Sequence, residues 1–406
     1  MDTLSFRLGD KEFLITNLAI FIPEYSRRAY SEISEKEKNR SKSPKTRYLR
    51  KFVLHPIKDN EEDIYVPRIE VYEKVNSNLE KIYYEAVITV QSLPKLIFNN
   101  NFEEIKVSDK EKIILLLVQR LKSIGVFTKS DYVKQAPVSV VHFCKNIILP
   151  ADIPIRNILS DLSHTDMGKA YDTTEDVRRQ RNKNNGSVVH LYCGTREWCF
   201  YDKIDDLLQP KGKRIDKYKT NYEKELIINY DSKNLEVFRF EYRLNKHQTI
   251  KSEINNFLER PYSEGVVISD LFTDKLWKAI LNSAWKRVLQ RPENQLALFS
   301  YDNSLDLLLC ILNKSKSENL NAHSQNKALW VYGLIRAIKD HGAKTIKYEL
   351  NKIWKNKDNR LIDKLIEANK FISGMPVPQG IFYVTEQLEK FEDTTLKLLE
   401  ERINLS

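Results

Sequence analysis

A chain of 406 residues, 41% hydrophobic and 10% aromatic, carries enough apolar material for more than one packed core, which excludes a disordered or fibrous protein. Its 66 Lys and Arg against 56 Asp and Glu leave a net charge of +10, which favours an anionic partner, although acids and bases are mixed along most of the chain. Four cysteines without CxxC spacing (Cys144, Cys193, Cys199 and Cys310) argue against a disulfide scaffold; with no apolar run of roughly 18 residues and no leader-like start, the expectation is a cytoplasmic protein without a membrane partner.

Residues 1–62 are expected to give an N-terminal strand and then, from residue 24, a region rich in charge and Ser in which SEISEKEKNRSKSPKTR reads as a mobile loop. From Val66 the pattern changes. VPRIEVYEKV alternates and IYYEAVITVQ is rich in β-branched and aromatic residues, as half-buried strands require. Ser108 and Glu111 have the spacing of a capping box ahead of KIILLLVQRLKSIGV, a predicted helix ending at Gly125. PVSVVHFCKNIIL predicts a strand, and DIPIRNILSDLS a short helix opened by Asp152. A hairpin follows, SVVHLY and EWCFYDKI about a turn at Gly194, and then the strand VFRFEYRL.

After about residue 260 the text turns helical. SLDLLLCILNK, ALWVYGLIRAIKD, IKYELNKIWKN, RLIDKLIEANKFI and EQLEKFEDTTLKLLEERI all space apolar residues by three and four. The predicted class is therefore α+β: a mixed or antiparallel sheet built from two strand–helix–strand sets over residues 63–260, then an all-α domain over 261–406. That second part suits a bundle that packs on itself or forms a homodimer, or a helix-turn-helix presenting Lys344, Lys347 and Lys352 to DNA.

The chemistry concentrates in two strands. Alternation in VFRFEYRL puts Phe238, Phe240, Tyr242 and Leu244 on one face and Arg239, Glu241 and Arg243 on the other. In CFYDKIDD, alternation puts Tyr201 and Lys203 on one side, with Asp205 and Asp206 just after. A free tyrosine has a pKa of about 10, so only about one molecule in a thousand is phenolate at neutral pH, and nucleophilic use requires a nearby cation or metal. Arginine, lysine and a carboxylate-held divalent ion all meet that need.

Three pieces resemble the gene II and gene X replication proteins of filamentous phages and related plasmid rolling-circle initiators: SLPKLIFNNNFEEI, VHLYCGTREWCFYDKIDDL and EVFRFEYRL. The resemblance implies that Tyr201, in TyrAspLys, is the nucleophile, with Lys203, Arg239 and Arg243 beside it. It implies metal ligands at Glu241 and at Asp206, where the family has Glu, and it places His142, a candidate third metal ligand through its imidazole, where the family commonly has an aspartate. Mg2+ or Mn2+ is the implied cofactor. The implied reaction leaves a 5′-phosphotyrosine link and a free 3′-hydroxyl, on single-stranded or supercoiled DNA at a replication origin. No GxxxxGK[ST] loop is present, so unwinding falls to a host helicase and extension to a host polymerase. Arg178, Arg179, Arg181 and Lys183 before the hairpin, Lys211, Lys213 and Arg214 after it, and Lys145 are candidates for phosphate contacts. Two other readings stay open: a DNA-binding or regulatory protein that kept this fold without catalysis, and a strand transferase of a mobile element.

Overall fold

The computed structural model describes residues 1–16, 21–24, 47–54, 65–75, 82–167, 188–208, 235–301, 303–317, 322–354, 360–398 and 401. The strands among them are β1 (Leu4–Leu8), β2 (Phe13–Ile15), β3 (Ile22–Glu24), β4 (Arg47–Leu54), β5 (Arg68–Val75), β6 (Ile82–Val90), β7 (Val126–Thr128), β8 (Val138–Ile148), β9 (Val188–Cys193), β10 (Arg196–Asp202) and β11 (Val237–Leu244). Nine of them form one sheet in the order β3-β4-β5-β6-β1-β8-β11-β10-β9, and every pairing in it is antiparallel. β1 lies between the two sequence-adjacent halves, β3 to β6 on one side and β8 to β11 on the other. The sheet precedes a mostly helical region, as an α+β chain requires. β4 is an element the charged region 24–62 was not expected to hold: RYLRKFVL is a strand that pairs with β5 despite its three basic residues.

The helices, in chain order, are α1 (Leu93–Phe98), α2 (Lys110–Ser123), α3 (Ser130–Gln135), α4 (Ile155–Ser163), α5 (Lys203–Leu208), α6 (His247–Phe257), α7 (Ile268–Leu271), α8 (Leu276–Leu289), α9 (Pro292–Leu298), α10 (Ser304–Ser317), α11 (Ala322–His341), α12 (Ala343–Trp354), α13 (Arg360–Ile372) and α14 (Gln379–Lys390). None is long and apolar enough to cross a membrane among the described residues. Three of their ends differ from expectation. The turn before α2 is closed by Asp109, whose carboxylate accepts from the Lys106 amide at 2.7 Å, rather than by Ser108 and Glu111. α4 begins after Pro154, not Asp152, and its Ile155 amide donates to the Glu236 carboxylate at 2.7 Å. α14 stops at Lys390, and at Phe391 the backbone turns left-handed at φ 59°, so the helix predicted over 386–403 starts earlier and is interrupted, with residues 396–398 helical again.

One core spans the sheet and the helices on both sides of residue 260. Trp198, Phe200, Phe238 and Phe240 stand on one face of the hairpin half of the sheet, and Trp285 of α8 packs against Phe200 and Phe240 with ring centroids 5.9 Å away. Indole hydrogen bonds fix the layer: Trp198 Nε1 donates to the Ala284 carbonyl and Trp285 Nε1 to Thr385 Oγ1 of α14, both at 2.9 Å. Burying large rings at about 1.5–3 kcal/mol each makes this face the main anchor of α8 and α14. A second core, built from Leu296, Phe299, Ile311, Val331, Ile335 and Phe371 among others, lies within α9 to α13. Lys347 of α12 ties it to the first, bonding Asp166 at 2.8 Å and Glu293 at 3.0 Å. Lys347 is buried there, which corrects its expected place on a DNA-facing surface.

A buried phenol–carboxylate–guanidinium site on the sheet

Strand pairing sets out the opposite face of the same four strands in rows. Tyr201 of β10 stands opposite Arg239 of β11, which stands opposite Asn146 of β8. In the next row His190, Cys199, Glu241 and Cys144 follow across β9, β10, β11 and β8, and in the third Tyr192, Glu197, Arg243 and His142. The predicted alternation of β11 therefore holds, but its charged face is buried too: Arg239 is 1% and Glu241 3% exposed. A buried charge survives only when paired, and these are.

Glu241 is the hub. Its Oε1 accepts from the Tyr201 hydroxyl at 2.5 Å and from Arg239 Nε at 2.8 Å. Its Oε2 accepts from Arg243 Nε at 2.8 Å, with Arg243 Nη2 at 2.6 Å. Arg239 is itself held by Asp2 at 2.7 Å and by Asn146 Oδ1 at 3.2 Å. Burial pushes the Tyr201 phenol well above its ordinary pKa, an effect the Glu241 charge reinforces and Arg239 opposes. For Glu241, burial works upward, but Arg243 and Arg239 outweigh it and hold the carboxyl well below the usual range. In this arrangement the proton stays on the phenol.

The remaining predicted residues divide. β10 ends at Asp202, whose carboxylate accepts from the Ile204 and Asp205 amides at 2.9 and 3.2 Å and so opens α5. Lys203 is thus the first residue of a helix rather than a strand neighbour of Tyr201, and it is buried. Asp206, one turn into α5, is half-buried and near enough for its charge to raise the Tyr201 pKa. His142 bonds Asn245 Oδ1 through Nε2 at 3.0 Å, and burial followed by the Arg243 charge lowers its pKa, so it is neutral at pH 7. Lys145 stands opposite Phe240, on the apolar side of the sheet, where it is buried, bonded to Glu104 and the Glu392 carbonyl, and lies over the Phe391 ring. Its expected phosphate contact is corrected accordingly. Arg178, Arg179, Arg181, Lys183, Lys211, Lys213 and Arg214 lie outside the described residues.

Of the three expected metal ligands, Glu241 and His142 are already engaged by other side chains. Both oxygens of Glu241 are taken by the phenol and two guanidinium groups, and the His142 Nε2 atom is taken by Asn245, so a divalent ion would have to displace an arginine. Sequence reasoning missed Asp2, Glu197, His190 and Tyr192, which complete the charged layer. The charge alternation that singled out β11 extends to Glu197 on β10, but only strand register shows that it meets Arg243. No protein-family model, curated protein or solved structure matches this chain.

Proposed function

We propose that this chain is a DNA strand-nicking and rejoining enzyme of the rolling-circle replication type, with Tyr201 as nucleophile, Glu241 as its proton acceptor, and Arg239 and Arg243 as the groups that receive the phosphodiester. The observation that carries this reading is the Tyr201–Glu241 hydrogen bond of 2.5 Å between two guanidinium groups. A nucleophile in contact with a base, itself oriented by further groups, is the arrangement that activates hydroxyl nucleophiles.

The resting pKa values oppose proton transfer, and the substrate supplies the remedy. A phosphodiester that takes hydrogen bonds from Arg239 and Arg243 draws them away from Glu241, whose carboxylate then becomes the stronger base. Tyr201 Oη attacks phosphorus as its proton passes to Glu241. The bond from phosphorus to the 3′ oxygen breaks, that oxygen takes up a proton from water, and the arginines neutralise the charge on the transferring phosphoryl group. One phosphate ester is exchanged for another, so the reverse reaction rejoins the strand. Origin DNA, a host helicase and a host polymerase are the proposed partners, in keeping with the lack of a nucleotide-binding loop.

A second reading has its own support: Tyr201 is only 7% exposed and Glu241 has both oxygens engaged, which suits a DNA-binding protein that keeps the layer as structure. Incubation with labelled single-stranded origin DNA, with Mg2+, with Mn2+ and with EDTA, followed by a denaturing gel, separates the two. A covalent protein–DNA band that disappears in Tyr201→Phe supports the enzyme. Tight DNA binding with no band in any condition supports the binder and overturns the nuclease.

A further inference from the structure

Arg243 does not belong to Glu241 alone. Its Nη1 donates to Glu197 Oε1 at 3.2 Å while its Nε and Nη2 hold Glu241 Oε2 at 2.8 and 2.6 Å. The same Glu197 oxygen accepts from His190 Nδ1 at 2.7 Å and from the Tyr192 hydroxyl at 2.9 Å. His190 is steadied in turn by the Tyr192 ring, stacked at 6.0 Å and 10°, and has Cys199 Sγ 3.5 Å from its Nε2. Glu197 is 8% exposed, whereas Tyr192 at the sheet edge is 42% exposed, so the carboxylate is fixed beneath an outer layer of two rings.

We propose that Glu197 is a positioning residue of the Tyr201 site: by sharing Arg243 with Glu241, it limits how far that guanidinium suppresses the basicity of Glu241, and it holds the Arg243 fork where a phosphodiester meets it. This role rests on the reading of Tyr201 as nucleophile. The physical basis is division of one cation between two carboxylates. An arginine bonded to both lowers the basicity of each less than an arginine bonded to one, and a fork pinned through Nη1 turns less freely about its own axis. His190 and Tyr192 make the arrangement durable, because they hold Glu197 independently and so keep it as the anchor of Nη1 while Nε and Nη2 exchange Glu241 for a phosphate.

Glu197→Gln tests this. The amide oxygen still accepts from His190 and Tyr192, so the fold is kept, but the competing charge is gone and Arg243 falls wholly to Glu241. The expected result is a first-order rate of covalent adduct formation at saturating DNA lowered about tenfold, with the Kd for DNA changed less than about twofold. Glu197→Asp, which keeps the charge, should recover part of that rate. A Glu197→Gln rate equal to that of the natural sequence, or a loss explained wholly by Kd, overturns the proposal while leaving Tyr201 as nucleophile. No adduct from the natural sequence overturns both. An activity-free measurement checks the sharing itself: the unfolding free energies of Glu197→Gln, Glu241→Gln and the double variant should be non-additive, since both act through Arg243, and additivity overturns the shared arginine.

Discussion

The Tyr201 hydroxyl and the Glu241 carboxylate are joined by a 2.5 Å hydrogen bond in which the carboxylate is the indispensable partner. Tyr201→Phe removes one neutral donor and leaves Glu241 with two guanidinium groups, so it should cost only about 1–2 kcal/mol. Glu241→Leu takes the shared acceptor from three buried groups, leaving Arg239 to Asp2 and Asn146, Arg243 to Glu197 and the phenol without its carboxylate, and the cost should be about 3–5 kcal/mol. Urea unfolding of the two variants measures the difference; equal losses would mean that Glu241 is not the hub of this face.

Asp202 gives the chain a pH dependence of stability. Burial pushes its carboxyl up to about 6, with the neighbouring Asp205 charge adding to the rise and the Asp205 and Ile204 amides opposing it. A raised folded-state pKa means that the contribution is full below the ordinary carboxyl value of about 4 and is lost as pH rises through about 6. Asp202→Asn stays neutral and still accepts from both amides. Relative to the natural sequence it should therefore gain about 1–3 kcal/mol between pH 4 and pH 8, read from denaturant unfolding at each pH. A difference that does not vary with pH would show that Asp202 is ionised without penalty.

Manganese and magnesium should bind the DNA-free protein too weakly at Glu241 to stabilise it. A ligand that binds the folded state raises the melting temperature only when its concentration exceeds its Kd, and here a metal must first expel an arginine. Melting curves with millimolar Mn2+, Mg2+ or EDTA should superimpose. A rise with Mn2+ that Glu241→Gln abolishes would restore the metal-ligand role expected from sequence.

Lys347 should behave as a structural ion, not a DNA contact. It is about 5% exposed and bridges Asp166 and Glu293, so Lys347→Ala takes the shared cation from both, leaves Glu293 to Arg291, and should cost about 1–3 kcal/mol. Lys352, which is exposed on the same helix, provides the control. If Lys347→Ala weakens DNA binding without lowering stability, α12 faces nucleic acid after all.

The strands of the site were legible because their side chains declare two faces: VFRFEYRL and the hairpin about Gly194 fold as their alternation and turn residue require. What the sequence leaves open is register. Lys145 and Asn146 are neighbours, and only the pairing of Lys145 with Phe240 and Asn146 with Arg239 sends one to the apolar side and the other to Tyr201. Lys203 escaped because alternation is meaningful only while the strand continues, and Asp202 ends it. β4 was hidden by its own charges: Lys51 finds its partner across the ladder in Glu70 of β5, at 3.2 Å, and pairing of that kind has no periodic signature.

The return of α14 to the sheet has a kinetic consequence. α8 and α14 share one core and are linked through Trp285 and Thr385, yet the whole of α9 to α13 lies between them in the chain. Closing that long loop must precede the reward from burying Ile381, Val384 and Leu388, so the sheet completes its apolar cover only through a contact distant in sequence. Gly380 marks the point of docking, since a Cβ there would collide with Ile158 of α4. Refolding should therefore show a late phase that reports the seating of α14, and a Trp285 fluorescence signal should lag behind the helical signal of α9 to α13, because a separately packed insert can assemble before the gap it spans is closed.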